Sequence, residues 1–434
     1  MSLLKEKLAS QIPALRERVH DLIGNYGKKI VADISIEQLL GGLRGVKAVV
    51  CDTSEVVLDK GLIIRGYPIT QLVDKLPEEV FWLLLTGELP DSREIEDLQS
   101  ELRKRSKVPQ YLWSTLKTCL IKDEPHPMTV LISALAILER ESKFYFHYSR
   151  GMKKEEYWEY ALEDVLDIIA VLPSLAAGIY RLRYDKGHLI NSGHDLDWAG
   201  NLAHMMGIEG DEEAFAKLMR LYMVLHSDHE GGNVSARACN VIGSTLSDPY
   251  YAVLGGLAGL AGPLHGLANV EGVKFVLDVL RTFKGVPSED ELKKYVTDNI
   301  AAGKLVPGYG HPVLRVTDPR FTAFYEYGKK VMPDDKLFKV VEMLYRIVPP
   351  ILTELGRIKN PWPNIDASSG ALLYYYGIVE LEYYTLLFGM SRTLGILAQL
   401  VLDRAMGFPI TRPKSVTTDW LFEAVKKSPE AVTN

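Results

Sequence analysis

The sequence predicts a mainly α-helical protein of two domains. Apolar residues recur at spacings of three and four along most of the chain, which lines one face of a helix. Strands and helices do not alternate in a βαβ manner, and the GxGxxG fingerprint of a dinucleotide-binding sheet is missing. The chain has 434 residues, more than one hydrophobic core ordinarily serves.

Taken in order, Ile12, Leu15, Val19 and Leu22 place a helix over 11–25. Residues 30–64 differ. They are rich in Val and Ile and broken by Gly41, Gly42, Gly45 and Gly61, which predicts short strands or turns. From Pro68 onward helix follows helix: 78–85, 92–104, 128–139, 153–179 and 211–225, with Gly87, Pro90, Pro125, Pro127 and Gly187 marking the breaks. His226 and His229, three apart, are expected on one helix face, either as a metal pair lacking a third ligand or as one ligand-facing and one packing histidine. Residues 249–264 form a helix whose Gly255, Gly256, Gly259 and Gly262 imply close approach of a neighbour. It delivers His265 into a Gly-Pro break, as a ligand-facing or a structural residue. Further helices are expected at 275–283, 290–300, 321–331, 336–355, from near 370, and at 386–406.

Composition narrows the function. Hydrophobic residues are 47% and charged residues 24%, a globular profile. A net charge of -6 argues against general nucleic-acid binding but leaves room for a small anionic ligand beside local arginines. Cys51, Cys119 and Cys239 are odd in number and far apart, so neither a disulfide framework nor a zinc site is expected, and a reducing compartment fits. The N-terminus carries Glu6, Glu17 and Asp21. It lacks the apolar core of a secretory signal and is too acidic for a transit peptide. The apolar region 371–402 is interrupted by Glu380, Glu382 and Arg392, and reads as buried helices rather than a membrane span.

The stretch LVPGYGHPVLRVTDPR (305–320) concentrates chemistry. Pro307, Gly308 and Gly310 let backbone approach a ligand, His311 can move a proton near neutral pH, and Arg315 and Arg320 suit carboxylate or phosphate. Asp366 stands between the break at Pro361 and Pro363 and an apolar helix, as a cap or as a base held at a helix start. Arg392 lies within an apolar helix and needs a partner or an anion. Arg44, among glycines, is an anion contact or a solvated arginine, and Arg412 sits on a Pro-rich tail.

With SDHEGGNVSA (227–236), GLAGPLHGLAN (259–269), VPGYGHPVLR and TDPR (306–320), NPWPNIDASSG (360–370), SRTLG (391–395) and GFPITRPKS (407–415), the chain resembles the citrate synthase family, in its long eukaryotic-type branch, over about 37–415. The resemblance implies a large domain of 1–266 and 378–434 and a smaller mobile domain of 267–377. It implies condensation of acetyl-CoA with oxaloacetate to citrate and CoA, with 2-methylcitrate synthesis from propionyl-CoA as the alternative. By resemblance His265 donates to the thioester carbonyl, Asp366 removes the methyl proton and His311 protonates the oxaloacetate carbonyl. His229, Arg320, Arg392 and Arg412 hold carboxylates, Arg412 across a homodimer. Leu305, Val306, Gly308, Tyr309 and Gly310 cradle the adenine, and Arg44 and Arg315 face CoA phosphates. No metal or redox cofactor is implied; the CoA thioester is a substrate. Ser368, Pro312 and Lys154 depart from the family pattern and bear on acyl-CoA preference and CoA affinity. The bacterial cytoplasm is the expected compartment, with the mitochondrial matrix for a processed form.

Physical reasoning meets the resemblance independently. A thioester methyl is a very weak acid, so a carboxylate base needs an opposing hydrogen-bond donor to stabilise the enolate as charge develops.

Overall fold

The computed structural model describes residues 2–119, 121, 125–311, 313–356 and 360–427. The fold is built around the Tyr383–Met406 helix, almost all of whose side chains are buried. Against it pack the helices Pro77–Thr86, Pro127–Leu138, Tyr157–Arg183, Glu212–His226, Val234–Gly243 and Pro249–Leu260. The Tyr157–Arg183 and Tyr383–Met406 helices are long and apolar enough to cross a membrane by length and composition, more so than the charged interruptions suggested, yet both are largely enclosed by the fold.

The N-terminal helix runs Leu3–Tyr26, longer than its apolar spacing indicated, because Ser2 caps it by accepting from the Lys5 N–H. The Val/Ile-rich segment gives an antiparallel three-stranded sheet of Ser54–Val57, Gly61–Ile64 and Tyr67–Pro68, after a short helix Ile36–Leu40. Ser54 pairs with Ile64 and Val57 with Gly61 across the first hairpin. Pro173 lies inside the Tyr157–Arg183 helix and cannot donate to the carbonyl of Ile169. The indole N–H of Trp198 takes that carbonyl at 2.8 Å.

Three boundaries differ from expectation. The glycine-spaced helix ends at Leu260, and a turn over 261–266 carries His265. The helix expected near Gly370 begins at Asp366. The Glu212–His226 helix stops at His226, so His229 lies beyond it and the two histidines share no helix face. Val234–Gly243, where no helix was expected, is a helix capped by Asn233, whose side chain accepts from the Ala236 N–H at 3.1 Å. It packs tightly on Pro249–Leu260: a Cβ at Gly256 would stand 3.0 Å from the Ser235 carbonyl oxygen, which is why glycine occupies that position.

A second, smaller core joins the helices Ala268–Thr282, Glu289–Ala301 and Lys336–Leu355 through residues such as Val276, Val296, Val340, Leu344 and Val348. Ser288 and Asp335 cap the latter two helices.

Candidate active site

The loop 305–311 is stitched to the segment leading into the Asp366 helix. The Gly310 N–H donates to the Trp362 carbonyl at 3.0 Å, the Asn364 N–H to the Gly308 carbonyl at 2.8 Å, and Asn364 Nδ2 to the Gly310 carbonyl at 2.9 Å. Gly308 has φ +81, and a Cβ there would lie 2.6 Å from Ala367 Cα. Glycine therefore sets the distance between the His311 loop and the Asp366 helix. Asn364 Oδ1 also accepts from the Asp366 N–H at 2.9 Å, fixing the start of that helix.

His311 is oriented by its own loop. Its Nδ1 accepts from the N–H groups of Val313 and Leu314 at 3.0 and 2.9 Å. Nδ1 is therefore unprotonated, and Nε2 carries the hydrogen. Burial and the positive field of Arg320 push the imidazole down to about 4, so it is neutral at pH 7.

His265 is the mirror case. Its Nε2 faces the backbone N–H of Ser235 at 3.4 Å and Ser235 Oγ at 3.0 Å, at the start of the Val234–Gly243 helix. The Ser235 hydroxyl donates to Asn233 Oδ1 at 2.6 Å. A backbone N–H can only donate, so the proton of His265 is assigned to Nδ1. Burial and Arg392 push this ring down to about 4 as well. Both histidines are neutral rings, each with one N–H left to donate.

Asp366 is the first residue of its helix and half-buried. Burial pushes its carboxyl up to about 6, against the lowering pull of Arg320 and Arg392. It is a stronger base than an ordinary aspartate and still ionised at pH 7.

The cations sit deep. Arg320 is 5% exposed, and its Nε and Nη2 donate to Asp318, the closest contact being 2.6 Å. That pairing holds the Asp318 carboxyl below its ordinary range despite burial. Arg392 is 2% exposed, donates Nε to the His226 carbonyl at 3.0 Å and lies 4.9 Å from the Phe388 ring centre. Burial pulls this guanidinium down to about 10. The His229 ring lies 5.9 Å from that of His311, and burial with Arg320 and Arg392 nearby holds it neutral. His226 packs on Tyr222, ring centres 4.1 Å apart, with Nδ1 3.0 Å from the Tyr222 carbonyl. Among the described residues no cluster of three or more His, Cys, Asp or Glu could hold a metal ion.

The structure thus brings together His229, His265, His311, Asp366, Arg320 and Arg392. Other expected residues lie apart. Arg44 is exposed in the turn 41–45, and Arg412 is exposed on the irregular tail after Met406. Among the described residues neither makes a hydrogen bond or ion pair with the cluster. Leu305 is exposed, Val306 is buried in the second core, and Tyr309 bridges to Pro363. The Arg315 guanidinium donates to the carbonyls of Val313 and Leu314. Ser368 is buried with its hydroxyl unpartnered among the described residues; Pro312 lies outside them.

Four supporting residues escaped the sequence reading. Asp228 accepts from Thr53, Ser54 and Gln399 at 2.6, 2.8 and 2.9 Å and anchors the histidine segment to the sheet. Ser235 orients His265, Asp318 braces Arg320, and Asn364 joins the two loops. Each stood inside a motif, but only as a short polar residue beside a more conspicuous one.

Residues 42–414 match the family described as citrate synthase, C-terminal domain. The chain is 45% identical over 437 residues to "Probable citrate synthase, mitochondrial" of Glossina morsitans morsitans, covering 98% of this chain and 93% of that one. It is 43% identical over 434 residues to "Citrate synthase, mitochondrial" of Saccharomyces cerevisiae, covering 98% and 90%. Its structure superposes on the crystal structure of citrate synthase from Pyrobaculum aerophilum with a TM-score of 0.77, at 30% identity and covering 90% and 95% of the two chains.

Proposed function

The chain belongs to the citrate synthase family, and from that premise we propose how its residues condense acetyl-CoA with oxaloacetate. The observation that carries the assignment is the pair of opposed tautomers. Nδ1–H of His265 donates to the thioester oxygen while Asp366 takes a methyl proton, so negative charge on the enolate oxygen forms against a ready hydrogen bond. The enol carbon attacks the oxaloacetate carbonyl. His311, with Nδ1 occupied, gives its Nε2 proton to the new alkoxide. Water then hydrolyses the citryl thioester, releasing citrate and CoA. No step calls for a resident metal or redox cofactor, because the hydrogen-bond donors supply the polarisation a Lewis acid would.

Among the described residues Arg392 has only Nε engaged by a hydrogen bond and Arg320 only Nε and Nη2, which supports a role for their remaining N–H groups on oxaloacetate carboxylates, beside His229. Arg412, exposed and away from the cluster, fits service to a partner subunit's site. A homodimer is further supported by exposed apolar side chains such as Val241, Tyr251, Ile410, Trp420 and Phe422. The separate second core supports a small mobile domain near 267–377, closing to keep the enol from bulk water. Leu305–Gly310 backbone, with Arg315 and Arg44, remains our assignment for CoA.

The relatives' names support the mitochondrial matrix as the compartment and give the bacterial cytoplasm no support. None of them supports the 2-methylcitrate alternative. The deciding experiment is thiol release from acetyl-CoA and from propionyl-CoA, each with and without oxaloacetate. Oxaloacetate-dependent release favouring acetyl-CoA is expected; a preference for propionyl-CoA would overturn the substrate assignment.

A further inference from the structure

The face of the Tyr383–Met406 helix that carries Arg392 is fastened, step by step, to the chain leading to His229. Ser391 Oγ donates to the Met223 carbonyl at 2.6 Å and Arg392 Nε to the His226 carbonyl at 3.0 Å. The Gly395 N–H donates to the Ser227 carbonyl at 3.0 Å, and Gln399 Nε2 to Asp228 Oδ1 at 2.9 Å. Residues 391, 395 and 399 recur every four positions and so lie along one face of the helix.

Asp228 closes this series, and its side chain is wholly buried. Its Oδ2 accepts from Thr53 Oγ1 at 2.6 Å and from Ser54 Oγ at 2.8 Å. Ser54 Oγ in turn accepts from the Glu230 N–H at 2.8 Å, so the residues on both sides of His229 hang on one hydroxyl. A Cβ at Gly395 would stand 2.5 Å from Asp228 Oδ1. The carboxylate therefore lies directly against the helix that presents Arg392. Burial pulls the Arg392 guanidinium down, and among the charges around it Asp228 opposes that pull most, ahead of Asp366.

We propose that Asp228 is a positioning residue for oxaloacetate, fixing His229 and Arg392 at the separation that receives the substrate's carboxylates. That role rests on the assignment of those two side chains to oxaloacetate. Asp228 reaches the substrate only through them, since its own carboxylate is enclosed. Groups that hold non-reacting carboxylates grip the ground state and the transition state alike, so their loss raises KM and spares kcat. A residue that only maintained the fold would reduce the amount of active enzyme, which lowers apparent kcat at unchanged KM.

The test is steady-state kinetics of Asp228→Asn, which keeps the side chain's shape and removes its charge. KM for oxaloacetate should rise about tenfold or more, with kcat and the KM for acetyl-CoA within about twofold of wild type. Thr53→Val deletes one donor to the carboxylate and should raise the oxaloacetate KM about threefold. Asp228→Asn decides if it folds; otherwise Thr53→Val decides. An unchanged oxaloacetate KM in the deciding variant would overturn the proposal, whatever happens to kcat. So would an equal rise in KM for both substrates, the mark of general damage. Wild-type enzyme that releases no thiol in response to oxaloacetate would instead remove the substrate assignment beneath it.

Discussion

Asp366 carries two costs of the same burial. Its carboxyl is raised to about 6, which makes it a better base and a worse neighbour for the fold. Replacing it with Asn removes the proton acceptor while keeping shape, and kcat should fall by roughly 10²–10⁴-fold, with the far-ultraviolet circular dichroism unchanged. In the wild type, kcat/KM for acetyl-CoA should decline as pH drops through about 6, because the base becomes protonated. His265 and His311, both near 4, are neutral across that range and add no limb to the profile. The stability sign is opposite. A carboxyl raised on folding favours the native state while protonated and loses that advantage as pH rises through its folded value. Asp366→Asn should therefore be more heat-stable than wild type at pH 8, by on the order of 1 kcal/mol, with the gap narrowing toward pH 5. A variant less stable than wild type at pH 8 would contradict this account of the site.

At the level of elements, the loop ending at His311 and the helix starting at Asp366 act as one piece because Asn364 and Gly308 join them. Gly308→Ala tests that joint. The substitution meets a left-handed backbone and the Ala367 backbone at once, costing about 1–3 kcal/mol. The expected result is a drop in turnover of at least about tenfold together with a lowered thermal midpoint; turnover unchanged would show the spacing of the two segments to be unimportant. The same region shows what a sequence reveals. The helices Lys336–Leu355 and Tyr383–Met406 were legible to within a few residues, because their apolar periodicity is a local signal, whereas Leu3–Tyr26 and Ala268–Thr282 begin seven or eight residues before their apolar spacing showed. That His265, His311, Asp366, Arg320 and Arg392 belong to one place was legible through motifs. Asp228, Ser235 and Asn364 were not, because each acts on a partner far along the chain and looks, locally, like an ordinary turn or cap residue. Val234–Gly243 was missed because its small and β-branched residues carry weak helix propensity, and only packing against Pro249–Leu260 makes it a helix.

On the scale of the whole molecule, Arg412 decides whether the site is complete in one chain. Asp366→Ala and Arg412→Ala should each be impaired alone. If Arg412 serves the partner's site, each mixed dimer regains one intact site, and statistical re-association of equal amounts should return roughly a quarter of wild-type activity. No recovery, with mixed dimers demonstrated by mass, would place Arg412 in its own chain's site. The hairpin Ser54–Ile64 offers another long-range link. At its base Thr53 and Ser54 hold Asp228, and at its tip the Leu58 carbonyl receives the Arg315 N–H at 2.9 Å. It clasps two segments that are remote from it in the chain and that bear His229 and His311. Closing such distant contacts is slow, since loop entropy must be overcome before they add anything, whereas helices form locally and early. On dilution from denaturant, helical signal should thus return well before citrate formation, and the part of that interval that does not shorten with protein concentration is the time the hairpin takes to find both of its ends.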